Sequence, residues 1–351
     1  MNIRQHLLEG QVIPAHPLAL TAGLRLDERH QRALTRYYVE SGAGGIAVGV
    51  HTTQFAIRDA GLYRPVLELA MEASREWLGR SAVEGVSPPF VRVAGVVGDT
   101  PQAIGEAAIA QALGYDLVLV SLGGLSSLDE RALVAHCRAI AEVLPVFGFY
   151  LQPAVGGRPL SHAFWRELAE VDRLWAVKIA PFNRYQTLDV VRAMAESGRD
   201  DVALYTGNDD SIVADLVTPF PVRGGSAAGT RHIVGGLLGQ WAVWTSRAVA
   251  LLARARTARM AGTVPAALLA EGAALTEANA AVFDAAHGFA GCIPGIHEVL
   301  RRQGLIAGNW TLDPREALSP GQLDEIDRVL ARFPELSDDA FVAERLDAWM
   351  R

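Results

Sequence analysis

Of the 32 Lys and Arg residues in this 351-residue chain, one alone is lysine, Lys178. Wherever a surface cation suffices the chain uses arginine, so the position that stays lysine is a candidate for chemistry arginine cannot do. A guanidinium is effectively never deprotonated, whereas a desolvated lysine amine loses its proton and becomes a nucleophile. Lys178 lies within Leu174-Trp-Ala-Val-Lys-Ile-Ala180, apolar on both sides, where an idle charge is costly. A second apolar run, Val146-Phe-Gly-Phe-Tyr150, ends in a phenol 28 residues earlier. Each residue stands four past the start of its run, so on adjacent parallel strands the two reach one height. If Lys178 and Tyr150 point inward, so do the small Ala176 and Gly148, while Trp175, Val177, Phe147 and Phe149 face outward. An amine that attacks a ketone, beside a phenol that moves protons to and from the carbinolamine, suits Schiff-base catalysis.

Three loops add candidates. His51-Thr52-Thr53 follows an apolar run, and its paired hydroxyls and N–H groups suit a carboxylate. In Thr206-Gly207-Asn208-Asp209-Asp210, Gly207 lets a substrate approach the backbone, and the two aspartates suit the start of the next helix. Gly224-Gly225-Ser226-Ala-Ala-Gly229-Thr230 reads as a strand and loop small enough to leave room at Gly229 for substrate or for an anion. Arg184, just past Lys178, and Arg158 are candidates for gripping a distal acid group. The nine histidines are scattered without metal-ligand spacing, so no metal and no cofactor is expected. Gly42-Ala-Gly44-Gly45-Ile-Ala-Val-Gly49 has its helix before and its strand after, the reverse of a dinucleotide-binding turn.

The elements that must position these groups repeat at the length of a strand plus one returning helix. Strands are predicted to begin near Val12, Gly45, Phe90, Asp116, Val146, Leu174, Val202 and Gly224. Ser127-Leu-Asp-Glu130 reads as a capping box opening a helix with Leu133, Cys137, Ile140 and Leu144 on its apolar face. Asp27 caps the first long helix and Gly42 ends it. Eight such units over residues 1–240 predict an α/β (β/α)8 barrel, with catalytic groups at the carboxyl ends of the strands. Residues 241–351 read as a helical extension packed on the barrel or on a neighbouring subunit. A net charge of −7 gives no generic footprint for nucleic acid, and no apolar run reaches membrane-spanning length. With two cysteines and no secretory signal in MNIRQHLLEG, the chain reads as soluble and cytoplasmic.

Taken together, Lys178, Tyr150 in Tyr150-Leu-Gln-Pro153-Ala-Val-Gly-Gly157, Thr52-Thr53 and Gly-Asn-Asp-Asp after the seventh strand resemble the dihydrodipicolinate synthase / N-acetylneuraminate lyase family. Ile293-Pro294-Gly-Ile-His-Glu-Val-Leu-Arg-Arg-Gln-Gly304 is similar to that family's late helix. The resemblance implies a TIM barrel with C-terminal helices, a homo-oligomer (tetramer or dimer), and class I lyase, aldolase or dehydratase chemistry on 2-keto acids such as pyruvate. Lys178 would match the Schiff-base lysine, Tyr150 the proton-shuttling tyrosine, and Thr52 and Thr53 the hydroxyls holding the keto-acid carboxylate. Three positions depart. Gln54-Phe55 stand where members carry Gly-Glu, Val155 where true dihydrodipicolinate synthases carry an arginine, and Gly123-Gly124 near their relay tyrosine. The expectation is a divergent lyase joining or splitting a 2-keto acid and an aldehyde. Sugar-acid dehydration through the same imine, and a barrel that binds a keto acid without turnover, are the alternatives.

Overall fold

The computed structural model describes residues 2–80, 87–222 and 229–351. Seven strands form close to their predicted places: β1 (Val12–Pro14), β2 (Gly45–Val48), β3 (Val91–Val96), β4 (Leu117–Val120), β5 (Val146–Leu151), β6 (Leu174–Ala180) and β7 (Ala203–Thr206). The eighth, β8 (Gly235–Leu238), lies further along the chain than the predicted start at Gly224. Before it, Phe220–Val222 and Gly229–Arg231 pair antiparallel as a hairpin; Gly224 to Ser226 fall outside the described residues. The sequence hides β8 because two of its four residues are glycine, which carries no strand preference. Its surroundings require them: a Cβ on Gly235 would come within 2.5 Å of the Gln11 backbone, and one on Gly236 within 2.7 Å of the Trp241 ring.

All eight strands run parallel in the order β1-β8-β7-β6-β5-β4-β3-β2, and a bridge between Ala15 and Ala47 joins the two ends into a barrel. Residues alternate between two cores. Ile13, Val93, Leu119, Phe147, Ala176 and Leu237 fill the interior, while Val48, Val96, Val120, Val177 and Ile179 pack outward against the helices. A short helix, Ile3–Glu9, lies under the barrel, where Leu7 joins the interior core and accepts a 2.8 Å bond from the Tyr205 hydroxyl.

Asp27 caps the Glu28–Glu40 helix, and Gly42 takes the left-handed conformation beyond it (φ 86°). The predicted capping box is corrected. Asp129, not Ser127, caps the Glu130–Ala141 helix, and Glu130 accepts instead from the backbone N–H and hydroxyl of Ser161. The chain beyond β8 forms helices Thr245–Ala261, Ala266–Val282, Cys292–Arg302, Gln322–Arg332 and Asp339–Trp349. They pack on the barrel: Tyr37 donates to Asp338 at 2.9 Å, and the Trp349 indole donates to Glu40 at 2.7 Å. No described helix is long and apolar enough to cross a membrane.

Candidate active site

Lys178 projects from β6 into a cavity at the carboxyl-terminal mouth of the barrel, together with Ala176 and Ala180 on the inward face. The cleft holds about 610 Å³ of atom-free space, a figure that includes its opening to solvent. The amine sits 4.5 Å from the centre of the Phe149 ring and has no hydrogen-bond or ion-pair partner among the described residues. Burial pulls its pKa below the ordinary lysine value, while Asp209 and Cys292 pull the other way. Its side chain runs directly over Gly207, where a Cβ would stand 2.6 Å from the lysine Cε and 2.7 Å from the Ala180 Cβ. Gly207 itself lines the cavity, and its missing side chain leaves the space that the lysine stem fills. Gly207→Ala is expected to push the amine off its position and cost about 1–3 kcal/mol of stability by overpacking. Urea unfolding, read alongside the reactivity of Lys178 toward a keto acid, checks this.

Tyr150 does not share the cavity. In-register partners across parallel strands face the same way, and Lys178 pairs with Phe149, while Tyr150 pairs with Ile179. The register slips between Val146 and Phe147, whose partners are Leu174 and Ala176, leaving Trp175 as an extra residue in β6. Counting from the two strand starts therefore puts Tyr150 in the wrong layer by one position. Phe147 and Phe149 point inward, contrary to expectation, as does Leu151, while Tyr150 and Gly148 point toward the helices. The fully buried Tyr150 packs against Trp165 and accepts from the Leu160 N–H at 3.0 Å. Burial raises its hydroxyl pKa, so it fastens the loop after β5 as a neutral phenol.

The loops after β2 and β7 bring the remaining polar groups. Thr52 lines the cavity and donates to the Ala15 carbonyl at 2.8 Å. Thr53 is fully buried, donates to the His16 carbonyl at 2.7 Å, and accepts from the Gly49 N–H. Of the pair, Thr52 alone faces the site, and Thr53 pins its turn. Asp209 enters the cavity with one carboxylate oxygen accepting from the Gln240 N–H at 3.1 Å, and Asn279 fixes its carbonyl at 2.7 Å. Burial pushes its pKa well above the usual carboxylate range, against the opposing pull of Lys178. His51 also lines the cavity; burial, helped by the charge of Lys178, lowers its pKa to about 4 and keeps the imidazole neutral.

Neither candidate arginine reaches the site. Arg184 pairs with the fully buried Asp215, whose other oxygen accepts from Thr206 at 2.7 Å and Asn208 at 2.9 Å. It neutralises a carboxylate that would be costly to bury alone. Arg158 donates to the Leu128 carbonyl at 2.8 Å. Gly229 lies exposed on the hairpin, whose Arg231 reaches the Arg199 and Val202 carbonyls ahead of β7, at the opposite end of the barrel. Residues the sequence did not single out complete the lining: Phe182 just past β6, and Phe283, Phe289 and Cys292 from the helical extension. Asp209 carried a signal, standing just past the carboxyl end of a barrel strand. The extension residues carried none, because nothing local says which part of the tail covers the mouth. Among the described residues no group of three or more His, Cys, Asp and Glu is placed to hold a metal ion.

No family model matches the chain. A 4-hydroxy-tetrahydrodipicolinate synthase of Clostridium perfringens (strain ATCC 13124) is 28% identical over 150 residues, 42% of this chain and 50% of that protein. The chain thus matches about half the length of such curated relatives. Among solved structures, the chloride-inhibited dihydrodipicolinate synthase of Acinetobacter baumannii complexed with pyruvate superposes with a TM-score of 0.73 at 16% identity, over 92% of this chain and 98% of the other. The N-acetylneuraminate lyase of Fusobacterium nucleatum gives 0.70 at 15% identity, over 93% and 99%. The chain shares the barrel fold of these structures and is similar in sequence to about half of a 4-hydroxy-tetrahydrodipicolinate synthase.

Two of the three departures from the resembled pattern have a structural place. Gln54, where the resemblance implies a glycine, is buried at positive φ (65°) and accepts from the Leu312 N–H at 2.7 Å, tying the β2 loop to the extension. Val155, in place of an arginine, presents an apolar wall to the cavity. The tyrosine that matches the family in sequence is turned out of the barrel.

Proposed function

We propose that this protein is a class I lyase that forms an imine between Lys178 and a 2-keto acid such as pyruvate. The observation that carries the reading is the chain's one lysine, placed in the cavity at the carboxyl end of a barrel with no ion-pair partner among the described residues. Such an amine is partly unprotonated at neutral pH and faces the space a ligand would occupy. The amine attacks the keto carbon, water leaves, and the protonated imine draws electrons from the neighbouring C3–H or C3–C4 bond. That bond breaks to give an enamine, which takes up a proton or an aldehyde carbonyl carbon. Water then hydrolyses the imine and returns the lysine. Thr52 exchanges its bond to the Ala15 carbonyl for one to the substrate carboxylate.

With Tyr150 turned away, the proton carrier is Asp209, whose raised pKa lets it hold a proton near neutrality and release it. The dimeric or tetrameric assembly implied by the resemblance, and a cytoplasmic setting, belong to the same proposal. In deuterium oxide the protein should exchange the methyl protons of pyruvate, seen as loss of the methyl signal by proton NMR. Folded protein that exchanges none would rule out the enamine step. One observation favours binding without turnover, namely that no described tyrosine lines the cavity. An imine that forms without proton exchange would select that second reading.

A further inference from the structure

We propose that the carbonyl partner joined to, or released from, the keto acid is an apolar aldehyde bearing an aromatic or branched side chain. The proposal rests on the imine reading and adds the chemistry of the other half of the substrate. Around Lys178 the walls are Phe149, Phe182, Phe283 and Phe289, with Leu119 and Leu151 beside them. Phe182 and Phe289 meet edge to face, their centroids 5.5 Å apart at 87°, across the seam between barrel and extension. Both hold positive φ, 52° and 70°, a conformation bulky side chains rarely adopt. The Phe182 N–H donates to the Asn208 side chain at 3.0 Å, and the Phe289 N–H donates to the Asp284 carbonyl at 3.0 Å. The fold thus anchors two rings at the mouth in backbone conformations that need such support.

The polar groups are few, and the imine chemistry uses them. Lys178 holds the keto carbon, Thr52 the carboxylate, and Asp209 the proton. No arginine lines the cavity among the described residues, and Val155 presents an apolar wall to it. A second carboxylate would therefore meet Asp209 and apolar rings without a counter-charge. A polyhydroxylated chain would bury hydroxyls with few partners, chiefly His51 and Gln152. An aromatic ring instead stacks on the walls at little desolvation cost. The reaction balances without a further reactant. C3 of the enamine attacks the aldehyde carbon, the oxygen takes a proton from Asp209, and water releases a 4-hydroxy-2-keto acid; cleavage is the reverse.

The test incubates the whole protein with pyruvate and, separately, benzaldehyde, 3-methylbutanal, glyceraldehyde and succinic semialdehyde. Products are followed by liquid chromatography and mass spectrometry. In parallel, borohydride trapping with pyruvate alone reports the imine. The expected result is a trapped imine with kcat/KM for benzaldehyde or 3-methylbutanal at least about tenfold above that for the other two. A trapped imine with glyceraldehyde or succinic semialdehyde preferred, or with none of the four consumed, overturns the apolar-partner inference and leaves the imine reading standing. Absence of a trapped imine overturns the imine reading itself, and this inference falls with it.

Discussion

Lys178→Arg is expected to lower turnover of any keto acid by at least about 10³-fold while the chain stays folded. The side chains are similar in length and both are basic, so the substitution asks for nucleophilicity rather than for charge. An arginine at this position remains protonated at every accessible pH and cannot form the imine. Its guanidinium would still face Asp209 and the Phe149 ring, which limits the structural cost. Lys178→Ala serves as the second variant, removing bulk instead of adding it. Both should lose turnover and proton exchange together. Circular dichroism and urea unfolding close to those of the parent would place the loss in the chemistry. Residual turnover within about tenfold of the parent in either folded variant would contradict the assignment.

Asp209→Asn is expected to lower kcat by about 10²- to 10⁴-fold, the range for loss of a positioned acid–base group. The change keeps shape and the bond from the Gln240 N–H but removes the exchangeable proton. Its pH profile separates a catalytic role from a structural one. Reaction requires the unprotonated amine, so kcat/KM rises with pH through the titration of the Lys178–Asp209 pair. Burial lowers the lysine pKa, and the carboxylate of Asp209 partly raises it again. Removing that negative charge leaves burial less opposed, so the lysine pKa falls further. The acid limb of the asparagine variant should therefore move to lower pH even as its plateau drops. A limb unmoved, or shifted to higher pH, would show that Asp209 does not face the reacting amine.

How much of this was legible in the sequence depends on whether the signal was local. Seven barrel strands, the helical tail and the inward path of Ala176 and Lys178 follow from apolar runs and alternation, and the structure agrees. The eighth strand was misplaced because its glycines are demanded by Gln11 and Trp241, distant contacts that leave no pattern in the strand itself. Tyr150 was misassigned for a subtler reason: one extra residue at Trp175 inverts the parity between two neighbouring strands, and nothing in either run announces it. Arg184 was read as a substrate ligand, but its partner, Asp215, lies 31 residues on in the next helical unit. The aromatic walls were hidden most deeply. Phe149 was assigned to the opposite face, and Phe283 and Phe289 come from a tail whose docking is a tertiary fact.

The most direct test of the central claim is borohydride reduction of the protein in the presence of pyruvate, read by intact-protein mass spectrometry and a peptide map. The chain offers one lysine side chain, so a reduced adduct can lie there or at the amino terminus. The expected result is a single adduct on the peptide containing Lys178, absent in Lys178→Arg. Folded protein that carries no adduct, or carries it at the amino terminus alone, would contradict it.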